Sequence, residues 1–141
     1  MMRSRRPSRR AGNAAPALLR ILVVDDNVDA AQLLAMFLEG VGYDVAVEHD
    51  PLRALAVAAR GSFDAFLLDI GLPGMDGIEL ARRLRLLPQG ETALLIAITG
   101  YGSPQDREAA LDAGFDHHFV KPAPLEKLLG IFARTAPRLQ A

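Results

Sequence analysis

The 141-residue chain has no cysteine and no tryptophan, and only two tyrosines and six phenylalanines. Without cysteine, disulfides and thiolate metal centres are excluded, which suits a reducing, cytoplasmic setting. No apolar run approaches the roughly 20 residues of a membrane-spanning helix, so no membrane association is expected. Acid is missing from the first 20 residues, where six of the 16 basic side chains fall, all arginine. The remainder therefore sets ten basic against 17 acidic residues, a balance of −7.

Composition thus divides the chain. Residues 1–19 are rich in Arg, Ser, Ala and Pro and lack the apolar content that would offset their ordering entropy, so a disordered basic tail is expected there. Arg5-Arg6 and Arg9-Arg10 look like twin-arginine export pairs, but Pro16 and Arg20 break the only apolar stretch that could follow them. A solvated arm is the simpler expectation, and nucleic acid is not an expected partner. The rest, 50% hydrophobic across the whole chain, is enough for one domain over residues 20–137, with 138–141 as its end.

Within that domain, apolar runs alternate with helix-like segments. Ile21 to Asp25 has the β-branched, two-sided apolar character of a buried parallel strand. Asn27 is placed to cap a helix over Val28 to Glu39, with Leu33, Leu34, Phe37 and Leu38 expected in the core. Tyr43 to Val47, Asp64 to Leu68, Leu94 to Ile98 and His117 to Val120 read as further strands. Asp50-Pro51 and Ser103-Pro104 are caps followed by a proline at the first helical position, and helices are expected over Arg53 to Arg60, Asp76 to Leu86 and up to Asp112. In the Asp76 helix, Arg82, Arg83 and Arg85 are expected largely in solvent. Leu125, Leu128, Leu129 and Phe132 give the spacing of an amphipathic closing helix. Five strand–helix repeats with short connections predict a doubly wound parallel α/β sheet.

Polar residues punctuate these strands at one end only. Asp25 and Asp26 close the first, Asp69 the third, Thr99 the fourth and Lys121 the fifth. Ligands of such sheets bind outside the strands' carboxyl ends, at the switch point that the first and third strands flank. Three carboxylates converging there would repel one another, and a hard divalent cation such as Mg²⁺, which favours oxygen ligands and phosphate, would relieve that. A hydroxyl and an ammonium group suit phosphoryl oxygens.

The motifs VVDDN, LLDIGLPGMDG, AITG and FVKP, in this order, resemble the receiver domains of two-component response regulators. The phrasing GFDHHFVKPAPLEKLL is similar to receiver modules of hybrid sensor histidine kinases. The resemblance implies a flavodoxin-like sheet in the order 2-1-3-4-5 and a phospho-acceptor domain rather than an enzyme, with only slow autodephosphorylation. It implies Asp69 as phospho-acceptor, with Mg²⁺ held by Asp26, Asp69 and the Gly71 carbonyl directly and by Asp25 through water. Thr99 and Lys121 would contact phosphoryl oxygens, and Thr99 with His118 would switch a face formed by the last helix–strand–helix. Implied partners are a sensor histidine kinase or histidine phosphotransfer protein upstream and a protein downstream. No output domain fits after Ala141, so protein contacts or onward phosphoryl transfer would carry the signal.

Some positions depart from the family pattern. His118 stands where a Tyr or Phe is usual, Gly100 where Ala is frequent, and Gly71 offers nothing to shield an aspartyl phosphate, a part Tyr101 could play. Ala123 follows Pro122 in place of a bulky residue, and His49 and His117 have no partner that the sequence names. Two other readings compete. A Mg²⁺-dependent phosphohydrolase would need an acid two residues after its nucleophile, where Gly71 stands. A phosphate-independent binding module on the same fold would not need the five polar residues.

Overall fold

The computed structural model describes residues 19–71, 75–100 and 102–135. The expectations for the basic tail up to residue 18, for Tyr101 and for the chain after Thr135 lie outside them.

Five strands, β1 (Arg20–Val24), β2 (Asp44–Glu48), β3 (Ala65–Asp69), β4 (Leu94–Thr99) and β5 (His117–Val120), form one parallel sheet in the order β2-β1-β3-β4-β5. Helices α1 (Val28–Val41), α2 (Pro51–Arg60), α3 (Gly77–Leu86), α4 (Pro104–Asp112) and α5 (Leu125–Ala133) connect and follow them, with a short 3-10 turn at Pro88–Gly90. The doubly wound fold expected from the alternation is therefore present.

Side chains of period two divide each strand between two cores. Leu22, Val24, Phe66, Leu68, Leu95 and Ala97 pack with Ala54, Ala58, Leu80, Leu84 and Ala110 from α2, α3 and α4. Ile21, Val23, Ala65, Leu67, Ile96 and Ile98 pack on the other face with Ala31 and Leu38 of α1 and with Leu128, Ile131 and Phe132 of α5. Burial on both faces explains why these strands read as continuous apolar runs.

Caps fix where four helices begin. The side chains of Asn27, Asp50, Asp76 and Ser103 accept from the amides of Ala30, Arg53, Glu79 and Asp106 at 2.9–3.1 Å. Each satisfies an amide without a partner inside its helix, and each lies just beyond a strand's carboxyl end. At the other end of α1, Gly42 adopts φ 119°, a left-handed conformation open to glycine, and its amide reaches Leu38 and Glu39.

Two expectations are corrected. Leu33 is 68% exposed, and α1 instead buries Ala31, Ala35 and Leu38. At about 100° per residue, Leu33 points almost opposite that stripe, and small alanines let the helix approach the sheet. Arg85 is not a solvent-facing residue like Arg82 and Arg83: its side chain is 22% exposed and its guanidinium is fully engaged at the strands' amino ends. It donates to the carbonyls of Gly114, Gly90, Glu91 and Ala93 and to Asp116 Oδ2, which also accepts from the Leu95 amide at 2.9 Å.

Candidate functional site

The five polar residues singled out in the sequence meet at the carboxyl edge of the sheet. Asp25 and Asp26 follow β1, Asp69 ends β3, Thr99 ends β4 and Lys121 follows β5. One carboxylate oxygen from each of Asp25, Asp26 and Asp69 lies within 4.8 Å of the others. Lys121 Nζ bridges two of them, donating to Asp25 Oδ2 at 3.2 Å and to Asp69 Oδ2 at 3.3 Å. The Lys121 amide donates to the Thr99 carbonyl at 2.7 Å, which ties the two strand ends together.

The turns hold these groups. Asp69 Oδ1 accepts from the Gly71 amide at 3.0 Å, so the chain folds back around the carboxylate. The Gly77 amide donates to the Ile70 carbonyl at 2.8 Å, and a Cβ on Gly77 would lie 2.6 Å from Ile70 Cα and 2.7 Å from the Asp69 carbonyl. Only glycine lets α3 start this close to β3. Asp25 Oδ1 accepts from the Asn27 amide at 2.9 Å, so Asn27 serves the acid pair as well as capping α1.

The electrostatics follow from a cluster of three acids in which one ammonium group is shared between Asp25 and Asp69. Burial raises the Asp25 carboxyl above its ordinary pKa; the Asn27 amide opposes this, the Asp69 charge adds to it, and Lys121 offsets part. For Lys121, burial pulls the amine down, but the hydrogen bond and charge of Asp25, then those of Asp69, outweigh it and raise the pKa. The two partners' shifts differ in meaning: the ion pair holds Lys121 charged, whereas desolvation and the second acid make the ionised form of Asp25 costly, a cost that a cation at the site would relieve. Such an all-oxygen, net-negative cluster fits a hard divalent cation.

Thr99 is buried, at 3% exposure, and a Cβ on the adjacent Gly100 would meet no residue beyond its chain neighbours within 4 Å. His118 points inward from β5 and is 9% exposed, with no hydrogen-bond partner for Nε2 among the described residues. Burial, then the Arg107 charge, lower its pKa, against Asp106 and its own backbone. His117 faces the other way and stacks on Phe119, with ring centroids 6.0 Å apart. His49 has a partner that sequence reasoning missed: its Nδ1 lies 2.9 Å from the Asp25 carbonyl oxygen.

A family model described as the response regulator receiver domain matches residues 21–133. The chain belongs to that family. As a receiver domain it is 37% identical over 112 residues to the response regulator ArlR of Staphylococcus saprophyticus, a match covering 79% of this chain and 50% of that one. It thus spans about half the length of that relative. Among solved structures it is similar to the receiver domain of a sensor histidine kinase from Pseudomonas aeruginosa, which has a magnesium ion coordinated in its active site cleft. The TM-score is 0.76 and the identity 33%, covering 84% of this chain and 98% of that one. A response regulator from Burkholderia pseudomallei with a phosphorylated aspartic acid and a calcium ion gives a TM-score of 0.75 at 32% identity, over 81% of this chain and 66% of that one. The receiver family is a signalling family, and membership in it is consistent with phosphorylation-based signalling.

Proposed function

We propose that this receiver takes a phosphoryl group from a phosphohistidine donor, a sensor histidine kinase or a histidine phosphotransfer protein, onto Asp69. The observation that carries the reading is the lysine bridge: one ammonium group touches Asp25 and the carboxylate of Asp69, inside a cluster of three acids. An Asp69 oxygen attacks phosphorus, the P–N bond to the donor breaks, and its electron pair remains on the donor imidazole.

Asp26, Asp69 and the Gly71 carbonyl would hold Mg²⁺ directly and Asp25 through water; when bound, the ion supplies charge neutralisation for the phosphoryl oxygens. Lys121 moves from the carboxylate to a phosphoryl oxygen, and the Thr99 hydroxyl donates to another. Thr99 and His118 then rearrange the α4–β5–α5 face, where Leu111, Val120 and Leu125 are exposed apolar side chains, and this face binds the downstream protein. The magnesium-bearing and phosphorylated relatives support the reading. Gly71, two residues after Asp69, gives hydrolysis no general acid.

Intact mass after incubation with acetyl phosphate and Mg²⁺ tests it. A single adduct of about 80 Da in the wild type, absent from Asp69→Asn and from protein kept in EDTA, is expected. An equal adduct in Asp69→Asn, or failure of the wild type to bind beryllofluoride and Mg²⁺, would overturn the proposal.

A further inference from the structure

Asp25 is held at every polar atom. Its amide donates to the Glu48 carbonyl at 3.1 Å, Oδ1 accepts from Asn27 and Oδ2 from Lys121. Its carbonyl oxygen lies 2.9 Å from His49 Nδ1. Because a carbonyl can only accept, Nδ1 carries the proton and donates. In the parallel register that pairs Val24 with Glu48, continuing the ladder would bring the Asp50 amide to the Asp25 carbonyl. The chain instead turns at Asp50 to cap α2, and the His49 imidazole supplies the donor.

We infer that His49 is a positioning residue for the acid pair, fixing the Asp25–Asp26 peptide through the Asp25 carbonyl so that both carboxylates face Asp69. The peptide unit is planar, so a bond to the Asp25 carbonyl also fixes the Asp26 amide and the position of the Asp26 Cα, from which that side chain departs. His49 touches none of the three carboxylates in this role. Its consequence for the metal rests on the proposed function, because orienting Asp26 and Asp25 orients the Mg²⁺ ligands. Residues that hold a ligand, without touching the ion, alter metal affinity measurably.

Two measurements on the full chain test the inference. Long-range ¹H–¹⁵N correlation on metal-free wild type, above the ordinary imidazole pKa range, reads the tautomer of His49: a protonated Nδ1 and bare Nε2 are expected, and the reverse would overturn the inference. Mg²⁺ titration, followed by the Asp25 and Asp26 amide shifts, compares wild type with His49→Phe, which lacks the donor, and His49→Asn, whose Nδ2 sits at a similar reach. Affinity should fall roughly tenfold in His49→Phe and recover in His49→Asn, without tracking their unfolding midpoints. Equal affinities in all three proteins, or His49→Asn as weak as His49→Phe, would overturn it. A wild type that binds no Mg²⁺ would overturn the proposed function instead, while the tautomer still decides whether His49 holds the Asp25 carbonyl.

Discussion

At the scale of single residues, the buried His118 sets a pH dependence whose sign can be worked out. Burial and Arg107 lower its pKa in the folded protein below the value of 6.5 for a free imidazole. The unfolded chain therefore takes up a proton first as pH falls. Stability is complete above the unfolded pKa, declines as pH drops through 6.5 and levels off below the folded pKa. Between about pH 7.5 and 5.5, the urea midpoint of wild type should fall more than that of His118→Phe. Parallel profiles would show that the folded imidazole is protonated without cost. The same proton adds a cation beneath α4, next to Arg107, so the face proposed for partner binding would respond to pH as well as to phosphorylation.

Among the elements, the α3 helix depends on Arg85 more than its exposed neighbours suggest. Four carbonyls and Asp116 converge on one guanidinium. Arg85→Met should destabilise by roughly 2–4 kcal/mol, because the part-buried carbonyls of Gly90, Ala93 and Gly114 lose their donor. Arg85→Lys should recover little, since one ammonium group cannot span a fork-shaped set of acceptors. Chemical denaturation checks both, and a Lys variant of wild-type stability would refute the fork argument. This residue also shows where sequence reading stops. Strands, caps and the order of the polar strand ends were legible, because burial on both faces writes apolar runs and because an Asn, Asp or Ser ahead of a helical segment, twice followed by proline, marks a cap. Arg85 sits at a helical position beside two exposed arginines, and its acceptors come from residues up to 31 positions away. Leu33 was misplaced for a related reason: alanine and leucine both count as apolar, and only the close approach of α1 to the sheet selects Ala31 and Ala35. His49 escaped notice because its partner is a backbone carbonyl, which carries no signature in the sequence. The five site residues, by contrast, are read from position alone, since parallel strands deliver their last residues to one edge.

For the whole molecule, that edge concentrates uncompensated negative charge, and ion binding should be coupled to global stability. Mg²⁺ at about 100 times its dissociation constant should stabilise the fold by roughly 2.7 kcal/mol, through binding the native state alone. Thermal melts of the full chain in EDTA and in excess Mg²⁺ would show a rise in midpoint for wild type and little for Asp26→Asn. An equal rise in both would place the ion elsewhere. High concentrations of NaCl should reproduce only the screening part of the effect, because screening weakens repulsion without supplying inner ligands.

The parallel topology has one more consequence. Leu19, whose carbonyl accepts from the Asp44 amide, stands at the amino end of the sheet, and Thr135 lines a pocket there with Asp64, Leu94 and Asp116, which precede or begin three strands. Both ends of the described chain therefore emerge on the side opposite Asp69. A fluorescent protein, an affinity handle or a neighbouring domain joined at Leu19 or Thr135 would start from the side away from Asp69, which would leave the proposed phospho-acceptor edge open to a donor.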